Sequence, residues 1–488
     1  MFALMVPCLA LQFISEHIKK IYKTINWGFS MALQQKGMHG TWTSRWTFIM
    51  AATGSAVGLG NIWKFPYIAG SNGGGAFVLM YFVCILGIGV PVMMAEAMIG
   101  RHGRQSPINA MRDIVTESGA HPLWRHIGWL GVLAGMLILS FYAVIAGWAL
   151  DYIFEIASGE LQGADGRMAG AVFSQLLADP ARLIMWQTLF LLLCIGVVIG
   201  GVKKGLGVAV EILMPLLFIM LLLLLGFSVF RGDFAAGWDF LFSFDFEALS
   251  GRSVLEAMGQ AFFTLSIGMG AIMAYGAYMP QKANIGKTIL TVGFFDSLVA
   301  LVSGLVIFPI VLATPGIEPG AGPGLMFVSL PVAFGNMPGG LLIGAAFFVL
   351  VSIAAWSSAI SLLEPAVAWM IEARNMGRVQ ANVILAFVAW ILGLGTVFSF
   401  NIWSDYKVAG FTFFDFLDFL TANIMLPLTG LLIAVFVSYA MKPSIVEGEM
   451  EGISDTMMTL WRFILRYLAP AAILAVFVMG IYDKFFTP

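Results

Sequence analysis

Long apolar runs recur from one end of the chain to the other, and nothing else in the sequence restricts its fold as much. A helix rises about 1.5 Å per residue, so about 20 apolar residues cross the hydrocarbon layer of a membrane. Reading the sequence this way gives about eleven transmembrane helices, at 44–71, 76–98, 127–156, 183–200, 206–230, 253–281, 286–314, 339–372, 378–402, 409–441 and 459–484. Only 11% of the 488 residues are charged and 60% are hydrophobic, with a mean hydropathy of +0.92. A soluble chain of that balance aggregates, so the fold class is an all-α polytopic membrane protein whose partner is the lipid bilayer. A net charge of −2 gives no basis for nucleic-acid binding. Cys84 and Cys194 stand in apolar runs as small hydrophobes, and with Cys8 they make no disulfide framework.

Histidine positions narrow the function. Haem ligation, an HExxH zinc site and a buried Ser–His pair all need histidine at membrane depth. His17, His39, His102, His121 and His126 all lie in polar segments or at span ends. The chain therefore reads as a protein other than an enzyme. Basic residues set the orientation. Arg101, Arg104, Arg112 and Arg125 share the loop after the second span, and Lys203, Lys204, Lys282, Lys287, Arg374 and Arg378 mark alternate loops beyond it. The positive-inside rule places these loops, and the N-terminus, in the cytoplasm of a plasma (bacterial inner) membrane. Residues 1–38 fit no span. They are read either as an extension upstream of a true start at Met31 or Met38, or as an amphipathic surface helix.

Two spans are spoiled in matching ways. "GSAVGLGNIWKFP" (54–66) puts Gly54, Gly58 and Gly60 close together ahead of a lysine and a proline, and "GQAFFTLSIGMGA" (259–271) flanks Met269 with Gly268 and Gly270. Gly60 and Gly270 are 210 residues apart, so each break opens one five-span half. Close packing through small residues explains one such break as well as function does. Two at corresponding places point to inverted repeats whose discontinuous helices 1 and 6 offer backbone ligands at the midplane.

The run "GSAVGLGNIWKFPY", then "NGGGAF" (72–77), "GQAFFTLSIGMGA", "AAWSSAISLLE" (354–364) and "FDFLDFL" (414–420), resembles the neurotransmitter:sodium symporter family, in particular its bacterial amino-acid transporters. The likeness covers roughly residues 39–485 as a single transporter domain. It implies repeats at about 44–230 and about 253–441, followed by an extra helix at 459–484. It also implies two co-transported sodium ions. The first would use Ala56, Asn61, Thr264 and Asp296, together with the substrate carboxylate. The second would use the carbonyls of Gly54, Val57 and Ala354 and the hydroxyls of Ser357 and Ser358. The substrate pocket implied is Ser55, Ala56, Gly58, Leu59, Gly60, Ile138, Tyr142, Phe263, Thr264, Ser266, Met269, Ser358 and Leu362. Monoamine carriers of the family have an aspartate where this chain has Gly58, so an amino acid with its own carboxylate is expected, with a hydrophobic or aromatic side chain.

The same resemblance implies gates. Asp418 matches the outer acidic gate, with Lys64 where relatives carry arginine; the alternative for Lys64 is snorkelling to the outer interface. Trp42 and Glu372 match the inner gate, whose arginine position holds His39, with Arg45 or Lys36 as substitutes. Gly205 and Pro215 match a fifth-span feature that lets the helix unwind, or else mark a plain kink. Chloride-dependent relatives have asparagine and serine where this chain has Asp296 and Ala300, so chloride is not expected. The reading is sodium-coupled import of an amino acid by alternating access. The alternative is a substrate sensor or leak channel of the same fold.

Overall fold

The computed structural model describes residues 40–314 and 324–486. The expected extension 1–38, and with it Met31, Lys36, Met38 and also His39, lies outside the described residues. Among the described residues the architecture is helical, with strand pairing limited to one isolated bridge between Val408 and Phe411.

The first span is split into α1 (Arg45–Ala56) and α2 (Phe65–Ser71). It is followed by α3 (Gly75–Gly103), a short α4 (Pro107–Glu117), α5 (Pro122–Ala157), α6 (Pro180–Ile199) and α7 (Val202–Arg231). The second half opens with another split span, α8 (Gly251–Thr264) and α9 (Ala271–Ala277). It continues through α10 (Ile285–Leu312), α11 (Gly340–Arg374), α12 (Arg378–Ser399) and α13 (Phe413–Ala440). A short α14 (Pro443–Glu449) leads into α15 (Asp455–Tyr482). Nine continuous helices among the described residues are long and apolar enough to cross a membrane, and the two split spans bring the total to the eleven expected. Each half holds five spans. Because five is odd, the second half starts from the opposite face, which makes the halves inverted repeats.

Local chemistry fixes the helix starts. Ser44 caps α1, its Oγ accepting the Thr47 N–H at 3.1 Å, and Asn284 caps α10 by accepting the Lys287 N–H at 2.9 Å. Both breaks have local causes as well. Val57 leaves the helical region at ψ 107°, and the Gly58 N–H turns to Asn61 Oδ1 at 3.1 Å. In the second break Gly268 and Gly270 take φ +83° and +73°, where a side chain is strained. Ser266 sits at φ +54° without being glycine. Its hydroxyl donates to Ser55 O at 2.8 Å and so ties one break to the other.

Some boundaries differ from the sequence reading. The tenth span begins at Phe413, not 409, because Thr412 and Asp415 form a reciprocal cap there. The loop expected to hold Arg101, Arg104, Arg112 and Arg125 is partly helical: α3 runs on to Gly103, Arg101 is only 4% exposed, and Arg112 lies on α4. Helix α7 begins with a wide turn over Val202–Gly207 and passes through Pro215 without ending. Helices α3 and α9 approach to backbone contact. A Cβ at Gly100 would lie 1.9 Å from Met273 O, and one at Gly276 would lie 2.6 Å from Ala97 O.

Candidate transport site

The two breaks face each other at the centre of the bundle, and the residues named from sequence gather around them. Asp296, fully buried on α10, accepts from Asn61 Nδ2 at 2.8 Å and from Thr264 Oγ1 at 3.0 Å. Asn61 belongs to the first break and Thr264 to the edge of the second, so one carboxylate joins both. Two turns nearer the start of α1, the Ser358 hydroxyl donates to Val57 O at 3.1 Å and to Gly54 O at 3.3 Å. Ser357 Oγ donates to Ala354 O at 3.0 Å. The second cluster presents oxygen atoms only, the donor set a hard cation such as sodium takes; in the first, the oxygens of Asp296 and Thr264 gather with the Asn61 amide, whose Nδ2 faces Asp296.

All thirteen residues expected at the substrate line a single pocket of about 20 Å³. None of them carries a charge. The Leu59 N–H donates to Tyr142 Oη at 3.3 Å, which fixes the hydroxyl at the mouth of the first break. Leu59, Tyr142 and Phe263 also wall a second cavity of about 140 Å³ directly beyond the pocket. Lys64 and Asp418 line that second cavity. They do not meet there in a salt bridge. The Lys64 ammonium lies 4.5 Å from the centroid of the Phe263 ring.

On the other face Trp42 is 3% exposed. Its backbone N–H donates to Tyr278 O at 2.9 Å and its indole N–H to Tyr275 O at 3.2 Å. Tyr278 Oη in turn donates to Glu364 at 2.8 Å, and Arg378 Nη2 donates to the other Glu364 oxygen. Glu372 accepts from the Ser106 N–H, Ser106 Oγ and Asn109 Nδ2 at 2.5–2.8 Å. Of the three cations considered for this gate, Arg45 directs its Nε to Thr288 Oγ1 at 3.0 Å, away from Glu372. His39 and Lys36 lie outside the described residues.

Sequence reasoning passed over four buried polar residues, three of which bond to the breaks. Gln260 Nε2 donates to Gly60 O at 2.7 Å, and Ser361 Oγ pairs with Ser55 Oγ at 2.7 Å. Glu96, fully buried on α3, accepts the Gly268 N–H at 2.6 Å, and Glu364 is equally buried. Both acids were detectable from the sequence, since a carboxylate inside an apolar run is costly unless partnered.

A split-helix bundle with oxygen clusters beside an uncharged pocket defines a secondary transporter, and comparison with known proteins gives the family. The sequence model of the sodium:neurotransmitter symporter family matches residues 39–167 and 173–486. An uncharacterised sodium-dependent transporter of Bacillus subtilis, YhdH, is 36% identical over 440 residues, covering 90% of this chain and 96% of the relative. One from Haemophilus influenzae is 31% identical over 449 residues, covering 91% and 98%. The crystal structure of MhsT in complex with L-phenylalanine superposes with a TM-score of 0.83 at 40% identity, over 90% of this chain and 99% of that one. The chain belongs to the sodium:neurotransmitter symporter family. It is a sodium-dependent symporter and an integral membrane protein, not an enzyme.

Proposed function

We propose that the chain imports a hydrophobic or aromatic amino acid together with two sodium ions. The observation that carries this reading is the uncharged thirteen-residue pocket set between the two oxygen clusters. The first ion sits among Ala56, Asn61, Thr264 and Asp296, and the substrate carboxylate completes its shell. The second sits among Gly54, Val57, Ala354, Ser357 and Ser358. The substrate carboxylate meets the amides near Leu59 and Gly60 and the Tyr142 hydroxyl, while its ammonium meets the carbonyls of Ala56, Phe263 and Thr264. Gly58 brings no acidic side chain of its own, which favours a substrate that carries its own carboxylate. The L-phenylalanine bound by MhsT supports an aromatic side chain beside Ile138, Met269 and Leu362.

Two sodium ions and a zwitterion carry positive charge inward, and the membrane potential contributes about 2.3 kcal/mol per charge at about 100 mV. The N-terminus is cytoplasmic and the membrane is the plasma membrane. Residues 39–485 form one transporter domain: repeats at about 44–230 and about 253–441 rock around the midplane site, and 459–484 is an additional helix. Lys64 and Asp418 close it outside; Trp42 and Glu372 close it inside. Asp296 supplies the negative charge beside the first ion, so chloride is not required.

Radiolabelled phenylalanine and leucine uptake into proteoliposomes, with a sodium gradient or with potassium on both sides, tests the proposal. Accumulation only with the sodium gradient is the expected result. Sodium-dependent binding without accumulation would show a sensor, and equal affinity in sodium and potassium would remove the shared carboxylate from the first ion's shell.

A further inference from the structure

A cluster of charges on the Trp42 face takes no part in the transport site. Arg101, near the end of α3, donates through Nε to Glu449 Oε2 at 2.6 Å, through Nη1 to Ala283 O at 2.5 Å, and through Nη2 to Glu449 O. Its neighbour His102 lies between two carboxylates: Nδ1 is 3.2 Å from Glu449 Oε1 and Nε2 is 3.0 Å from Glu117 Oε2. Helices α3, α4 and α14 therefore meet on one imidazole ring. The N–H of Lys442 donates to Ser118 Oγ at 3.1 Å and joins the last two a second time.

The ring geometry sets a condition on charge. A neutral imidazole has one N–H and one lone pair, so it bonds one carboxylate and turns a lone pair toward the other. An imidazolium donates to both. Burial pushes the Glu449 carboxyl up, but the hydrogen bonds from His102 and Arg101 outweigh burial and hold it below the ordinary carboxylate value. Glu449 thus stays ionised while histidine, the side chain that titrates between about pH 5 and 8, changes charge.

What the ring holds also matters. Arg104 Nη1 donates to the carbonyls of Ala277 and Met279 at 3.3 and 2.5 Å and so caps α9. With the Gly100 and Gly276 contacts, this makes α3 and the inner half-helix α9 one packed pair. The remaining charges around the ring are mostly engaged with each other. On α4, Arg112 pairs with Asp113 at 2.9 Å, and Glu447 of α14 pairs with Arg462 of α15 at 3.0 Å. Lys282 and Lys442 flank the cluster in the connecting segments.

We infer that His102 is a positioning residue that makes the carrier sensitive to pH on the Trp42 face. Protonated, it clamps the α3–α9 pair to α4 and α14 and keeps that face closed. On losing its proton it releases Glu117, the more exposed of its two partners at 45% against 12%, so that the α3–α9 pair is freed to move against α4 while Arg101 still holds it to α14. The clamp is present below the histidine pKa and lost as pH rises through it. Transport therefore quickens as the pH on this face rises.

This inference rests on the symport reading, and the test separates the two. Sodium-driven phenylalanine uptake is measured in proteoliposomes at fixed external pH, with lumenal pH stepped from about 6 to about 8. Sodium-dependent binding is measured at each pH in parallel. The unmodified protein should gain rate severalfold across the series, while His102→Gln should be flat. Glu117→Gln, which keeps the histidine, should raise the rate at the acid end, and it decides the matter if His102→Gln fails to fold. Unmodified and variant proteins with the same pH profile would overturn the inference. Loss of sodium-dependent binding at every pH in the unmodified protein would instead sink the symport reading.

Discussion

Replacing Gly58 with alanine adds one methyl group at the most crowded point of the pocket. An added Cβ would lie 2.5 Å from Ser358 Oγ, 2.8 Å from Tyr142 Oη and 3.2 Å from Ser358 Cβ. No positive φ is needed at Gly58, so the backbone accepts alanine and the cost arises from these side chains. Neither hydroxyl is free to yield. Ser358 Oγ is bonded to Gly54 O and Val57 O, and Tyr142 Oη receives the Leu59 N–H. Overpacking costs about 1–3 kcal/mol, and one or two displaced hydrogen bonds add about 1 kcal/mol each. A combined loss of about 2–5 kcal/mol corresponds to ~30- to ~4,000-fold weaker substrate binding. Because the displaced serine belongs to the second sodium cluster, the sodium concentration for half-saturation should rise as well. Scintillation-proximity binding of labelled phenylalanine across a sodium titration reads both effects, with melting temperature in detergent as a check on folding. Folded Gly58→Ala protein that binds within about threefold of the unmodified protein would show that this crowding does not bear on the site.

Three further outcomes are expected. Replacing chloride by gluconate should leave uptake unchanged in the unmodified protein, and a large drop would show that Asp296 does not supply the charge beside the first ion. Asp296→Asn removes a buried carboxylate bonded to Asn61 and Thr264, so sodium-dependent uptake should fall about tenfold or more, read as initial rate against sodium concentration. Starting translation at Met31 should leave uptake per folded molecule intact; loss of activity in well-folded protein would give the preceding segment a role.

The parts legible in the sequence were those whose cause is local. Glycines crowding a lysine and a proline inside an apolar run announce a broken helix whatever surrounds them, and both breaks fall where Gly58 and Gly268 mark them. The thirteen pocket positions could be named because the family resemblance assigns them, most of them within the quoted motifs at the breaks. The charge clusters were not legible in the same way. Arg101 and Glu449 are 348 residues apart, and no periodicity relates them; in the sequence Arg101 counted only as an orientation signal. Helix α4 was missed because it is short and amphipathic, with no apolar run to announce it. For the inner-gate arginine, whose position holds His39, Arg45 was offered as a substitute. Its turn toward Thr288 depends on how α1 and α10 pack.

The Lys64 ammonium resting on the Phe263 ring has a consequence for how the carrier responds to its medium. An exposed pair of opposite charges is screened by electrolyte, with a Debye length of about 8 Å in physiological saline. An ammonium seated against an aromatic face is held at contact distance by the ring quadrupole, and the ring also shields it. Raising inert salt on that side should therefore leave the resting position of the Lys64 side chain nearly unaltered, so that any acceleration by added sodium chloride reports occupancy of the ion sites alone.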